Sequence, residues 1–128
     1  MKESAITALK VEPGKHPELC HLRNELDALQ KAVSIGCDSR GLIEIIELED
    51  GICLLCNEEG KLFGLEGNRK IGNDIIAGVF YVTAEDGEGN LSSLNHKQIE
   101  AYKKRFWEIE SYTAEDVLKS VCIKLFYD

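Results

Sequence analysis

Asn57, Glu58, Asn68, Arg69 and Asp74 lie within one glycine-punctuated stretch, Cys56 to Tyr81, and are the side chains of this sequence best suited to holding a ligand or a partner. Arg69 offers a planar fork for a carboxylate or phosphate, and the two asparagines present donors and acceptors together. The neighbouring glycines allow close approach of the backbone. Long ordered loops in compact domains are disproportionately binding sites, which favours a contact surface over residues 57–74. The ordinary explanation is an internal network in which Arg69 pairs with Glu58 or Asp74 and pins the excursion to the sheet. A binding role predicts that Arg69→Ala leaves stability near wild type, whereas an internal network predicts a sharp loss.

No other group of residues completes a chemical motif. Cys53-Leu54-Leu55-Cys56 has the spacing of half a zinc site, but no second pair follows, and Cys20-His21 is the sole distant complement. On a strand, residues three apart point to opposite faces, so the two thiols diverge and read as core. Neither a metal nor any other cofactor is expected. A Cys-His nucleophile needs a histidine against the thiol. His16 falls in a Pro-flanked turn, His21 on a strand and His96 in the first turn of a capped helix, so no catalytic residue is assigned. The Gly64 to Gly72 segment lacks both the Gly-Lys-Ser/Thr ending of a phosphate-binding loop and the strand-to-helix setting of a dinucleotide fingerprint. Asp86, Glu88 and Asn90 alternate like calcium ligands, without the closing bidentate glutamate that an EF-hand requires.

Composition narrows the partners. The 128 residues fit a single domain, large enough to bury about two-thirds of the surface of the unfolded chain. No apolar run approaches the roughly 20 residues of a membrane helix, and no membrane association is expected. The amino terminus lacks the apolar centre and small-residue cleavage site of a secretory signal, so the expected compartment is the cytoplasm. Five cysteines without dense regular spacing read as reduced, buried thiols. A formal charge of −8 disfavours direct nucleic-acid binding, which draws its free energy from Lys and Arg displacing counterions. An unknown protein partner or a small anionic ligand remains. Three functional classes follow: a binding protein, a nucleotide- or anion-sequestering protein, and an acidic decoy or inhibitor of a DNA-binding protein.

The elements that must position these residues are legible in part. Alternation over Ile6 to Val11, broken by Pro13-Gly14, predicts a strand with Glu18 to Leu22 pairing back on it. Asn24 as cap, with Leu26, Leu29 and Val33 on one face and Gly36 beyond, predicts a helix of about ten residues. Asp50-Gly51 between the apolar runs Leu42–Leu48 and Ile52–Cys56 predicts a hairpin, placed centrally because both arms are apolar on both faces. Ile75 to Thr83 reads as one further strand, followed by an acidic loop. Asn95 and Gln98 form a capping box, Leu94 staples to Ile99, and Ile99, Tyr102, Phe106 and Ile109 make a buried stripe. Tyr112-Thr113 opens a short helix with Asp116 at its third position, and Val121 to Tyr127 is expected to close as an edge strand guarded by Lys124. The predicted fold class is α+β: a single domain over residues 1–128, with an antiparallel or mixed, curled sheet of about five strands, two main helices and a short C-terminal helix.

Val11-Glu12-Pro13-Gly14-Lys15, Cys56-Asn57-Glu58-Glu59-Gly60-Lys61-Leu62, Asn68-Arg69, Ile75-Ile76-Ala77-Gly78-Val79-Phe80 and Ser93-Leu94 occur in an order that resembles the domain-of-unknown-function 3846 family. The resemblance covers about residues 5–107, leaving a C-terminal addition over about 111–128 and a longer Ser34 to Arg40 connection. It implies a small cytoplasmic protein of phages and mobile elements in Gram-positive bacteria, a setting that points to an accessory protein or an inhibitor of a host-defence protein. No activity comes with it.

Overall fold

The computed structural model describes residues 4–37 and 41–127, with side chains described as far as Val121. Residues 38–40 of the longer connection, and the side chains of Cys122 and Lys124, lie outside the described residues.

Period-two alternation makes Ala5–Val11 a strand, β1, and Glu18–Arg23, β2, returns along it antiparallel with Ile6 opposite Leu22. Gly14 supplies the positive φ of 75° in the intervening turn. The helix α1, Leu26–Val33, buries Leu29 and Val33, but Leu26 faces solvent. Its cap position is Glu25, without a side-chain bond; the expected cap, Asn24, is instead buried with Nδ2 aimed at the Leu91 carbonyl at 3.5 Å. Asn24 is spent on tertiary structure, and the helix, at 8 residues, is about two residues shorter than expected.

The hairpin β3 (Ile43–Glu49) and β4 (Ile52–Asn57) turns at Asp50-Gly51 as expected, with Gly51 at φ 84°. β5 (Gly67–Ile71) and β6 (Asp74–Ala77) form a second hairpin and a separate two-stranded sheet. β7 (Phe80–Glu85), β8 (Leu91–Ser92), α2 (His96–Arg105) and α3 (Ala114–Tyr127) follow. The main sheet has six strands in the order β2-β1-β7-β4-β3, with β8 paired to β7, and each of its pairings is antiparallel. The fold is therefore α+β, with one strand more than expected in the main sheet and an additional small sheet.

Three expectations are corrected. Ile75 to Thr83 is not one strand: Gly78, at φ 83°, breaks it, and its amide bonds the Glu66 carbonyl at 2.8 Å, so β6 turns away from β7. The first hairpin is not wholly central, because β3 forms the sheet edge, with Ile45 exposed and a register shift between Glu47 and Glu49. Charges and a bulge are edge-protecting features. Finally, Val121 to Tyr127 continues α3 instead of forming a strand, making this the longest helix described, at 14 residues. No Gly or Pro separates Thr113 from Tyr127, so nothing stops the helix once Thr113 and Asp116 have started it.

The sheet is covered on both faces. Leu9, Val11, Leu54, Phe80 and Val82 pack with Ile76 of the small hairpin and with Tyr102 and Phe106 of α2. On the opposite face Ile6, Ala8, Leu55 and Tyr81 pack with Leu29 and Val33 of α1. α3 lies outside the small hairpin, with Val117 against Ile75 and Ala77. Among the described residues no helix is long and apolar enough to cross a membrane.

Candidate functional site

The five residues singled out from the sequence separate into an inward pair and an outward group. Asn68 and Arg69 sit on β5, both with no exposed surface. Arg69 donates from Nε and Nη2 to the Phe106 carbonyl at 3.1 and 2.9 Å, from Nη2 to the Lys15 carbonyl at 2.8 Å, and from Nη1 to Asn68 Oδ1 at 2.7 Å. Asn68 in turn donates from Nδ2 to the carbonyls of Val11 and Gly78, at 2.8 and 2.9 Å. Phe106 is the C-cap of α2, so the guanidinium meets the negative end of the helix dipole and satisfies a carbonyl that the helix leaves open. Burial lowers the Arg69 pKa from its ordinary value, an effect opposed by the nearby Glu110 carboxylate. The pairing with Glu58 or Asp74 anticipated from the sequence is replaced by main-chain oxygens and Asn68.

Asn57, Glu58 and Asp74 converge elsewhere. Asn57, buried at the end of β4, accepts the Glu59 amide on Oδ1 at 2.8 Å and starts a compact turn. That turn is continued by Phe63 N to the Glu59 carbonyl and Leu65 N to the Gly60 carbonyl, both at 3.0 Å. It returns Lys61 over β6, where Nζ pairs with the Asp74 carboxylate. Glu58 is exposed at the mouth. Glu44 stands opposite Cys56 in the β3–β4 register, hence on the same face, with Cys56 Sγ 3.9 Å from its carboxylate.

These side chains line a cleft of about 530 Å³, floored by Ile75, Ile76 and Ala77 and walled by Leu62 and by Val121 of α3. That volume suits a small ligand or a single inserted side chain. The lining carries three carboxylates, Glu44, Glu58 and Asp74, against one ammonium, Lys61. Glu44 and Lys61 escaped the sequence reading, although Lys61 sits in a segment already singled out. Glu44 was hidden because only the register of β3 on β4 brings it to Cys56.

Cys53 and Cys56 occupy opposite faces of β4, as their spacing requires. Cys56 joins the cluster with Leu54 and Phe80, whereas Cys53 Sγ lies 3.2 Å from Thr83 Oγ1. Burial pushes the Cys53 thiol up and the Cys20 thiol up to about 11, keeping both protonated at neutral pH. His21 is exposed beside Thr7, and His16 stacks on Trp107, so neither histidine is placed against a thiol.

Neither a curated protein nor a solved structure matches the chain. A family model does match: that of a domain of unknown function (DUF3846), over residues 6–107. The matched span takes in the Arg69 network and every cleft residue except Val121, and it ends before α3. With that span covered, the chain belongs to the DUF3846 family.

Proposed function

We propose that this protein is a small, cytoplasmic binding or accessory protein of phage or mobile-element type, and that its recognition site is the cleft between the 58–64 turn, β6 and α3. The group it takes is a cation on an apolar stem, as on a lysine or arginine of a protein partner. One observation carries this reading: with Asp74 paired to Lys61, the carboxylates of Glu44 and Glu58 leave the lining around an apolar floor net negative. A long cationic side chain lays its methylenes on apolar surface and keeps its charged head among polar groups, which is the complement of that lining. Anion sequestration is less well supported, since the Arg69 donors turn inward and Lys61 is paired with Asp74. An inhibitor or decoy of a DNA-binding or host-defence protein would use the same cleft, because the basic side chains of such a target have the chemistry the cleft accepts.

The test is a titration of the ¹⁵N-labelled protein with Nα-acetyl-arginine methylamide, and separately with inorganic phosphate. The arginine derivative should shift the amides of Glu58 to Leu62 and Asp74 to Ala77 at about millimolar concentration, and Asp74→Asn combined with Glu58→Gln should weaken this by about tenfold. A stronger response to phosphate at these amides, or none to the arginine derivative, would refute the assignment. A nucleotide panel should leave the melting temperature unchanged.

A further inference from the structure

A second surface, sharing no residue with the cleft, is built where α2 ends. Lys103, Lys104 and Arg105 occupy the last turn, followed by Trp107 and Ile109, which are 49% and 43% exposed. Together with His16 they line an open concavity of about 1080 Å³. Cations in a final turn are favoured by the helix dipole, and that alone would explain Lys103 and Lys104. It does not explain an indole held rigidly in solvent beside them. The His16 ring stacks on Trp107 with centroids 3.9 Å apart and planes 7° from parallel, and His16 Nδ1 donates to the Trp107 carbonyl at 2.6 Å. The preceding carbonyl, that of Phe106, is held by Arg69. An exposed aromatic fixed before anything binds it loses little entropy on binding, the property of an interface anchor.

We propose that this surface docks an acidic peptide segment of a protein partner, with an apolar side chain of the segment on Trp107 and Ile109 and its carboxylates on Lys103 and Lys104. Among the described residues neither lysine makes an ion pair, so both ammonium groups are available. Arg105 instead lies over the Tyr102 and Phe106 rings, 5.8 and 5.2 Å from their centroids, and rigidifies the platform. Glu100 and Glu108 also line the concavity, leaving Lys103, Lys104 and Arg105 an excess of one positive charge over the two glutamates. So small an excess on a chain of net charge −8 gives a nucleic-acid backbone little counterion release, whereas a few carboxylates flanking an apolar anchor match both halves of the surface.

Trp107 is the only tryptophan, so its emission reports occupancy directly. The full-length protein would be titrated with a short acetylated peptide alternating Asp with Leu, with its Asn-for-Asp counterpart, and with single-stranded oligothymidylate. The acidic peptide should change the Trp107 emission by about 1 mM, and Lys103→Glu with Lys104→Glu should weaken it about tenfold or more. Both positions are exposed, so the double variant should remain folded with a melting temperature only a few degrees lower, the loss expected for reversing two charges at the negative end of the helix dipole, and Asp74→Asn in the cleft should leave this binding unchanged. The proposal is overturned if the acidic peptide gives no change, if its Asn counterpart binds as well, if the double variant binds like wild type, or if oligothymidylate binds more tightly.

Discussion

Arg69 shows how one side chain can be read correctly for chemistry and incorrectly for direction. Its fork holds together the β1–β2 turn through Lys15, the end of α2 through Phe106 and, via Asn68, the carbonyls of Val11 and Gly78. Removing it leaves the buried Phe106 carbonyl and Asn68 Oδ1 without their guanidinium donors. Arg69→Ala should therefore lower the unfolding free energy by roughly 3 kcal/mol or more, seen as a drop in the urea midpoint. Arg69→Lys should recover only part, because a point charge cannot bridge Phe106 and Lys15 together. A loss below about 1 kcal/mol for Arg69→Ala would mean the network is ornamental. The sequence could not reveal these partners, because they are main-chain carbonyls 37 and 54 residues away and every residue carries one. Asn57, Glu58 and Asp74 were easier to recognise as a polar cluster, yet the cleft they share depends on how β6 folds back beside β4.

At the scale of elements, signals confined to a few residues were legible, and those set by distant packing were not. The Asn95–Gln98 capping box forms as its spacing implies, with reciprocal bonds of 2.9 and 2.8 Å, and so does the Thr113–Asp116 cap of α3, at 2.9 and 3.1 Å. The second cap makes a pH-dependent expectation. Hydrogen bonds from the Thr113 amide and hydroxyl hold the Asp116 carboxyl below its ordinary value of 3.8, so its contribution is complete above that pH and is lost as pH falls through the lower folded value. Amides in the first turn of α3 should lose exchange protection below about pH 4, and Asp116→Asn should remove this dependence. The same acid dependence in Asp116→Asn would assign the effect to another carboxylate. By contrast the β5–β6 hairpin was missed although Gly72-Asn73, with Gly72 at φ 60° and Asn73 at negative φ, is a two-residue hairpin signal. The unbroken apolar run through Ile75 concealed it. The interruption at Gly78 had a local signal, a glycine inside an apolar run, but the bond that fixes it, from its amide to the Glu66 carbonyl, is set by tertiary packing, and a Cβ there would meet Leu65 Cδ1 at 2.7 Å.

For the whole molecule, the main sheet and both of its packed faces fall within the family-matched span, while α3 lies beyond it. α3 is nevertheless joined closely to that span. A Cβ on Gly67 would come within 2.9 Å of Tyr112 Cβ and 3.0 Å of Val117 Cγ2, so glycine is what lets the helix and its approach reach the hairpin. Val117 is buried on Ile75 and Ala77, and Val121 walls the cleft. The two surfaces proposed for recognition are thus of opposite character, and only the acidic one includes a residue of the C-terminal helix. Cutting the chain after Glu110 retains the Lys70 amide bond to Glu110 Oε1 and the whole basic platform, but uncovers the outer face of the small hairpin. The shortened chain should still unfold cooperatively, less stable by about 2–3 kcal/mol for the apolar side chains it exposes. It should lose the response of the Asp74 to Ala77 amides to the arginine derivative while keeping the Trp107 response to the acidic peptide. Loss of both responses in a chain that remains folded would show that α3 organises the molecule as a whole. Retention of both would show that the cleft needs no third wall and that the matched span alone carries recognition.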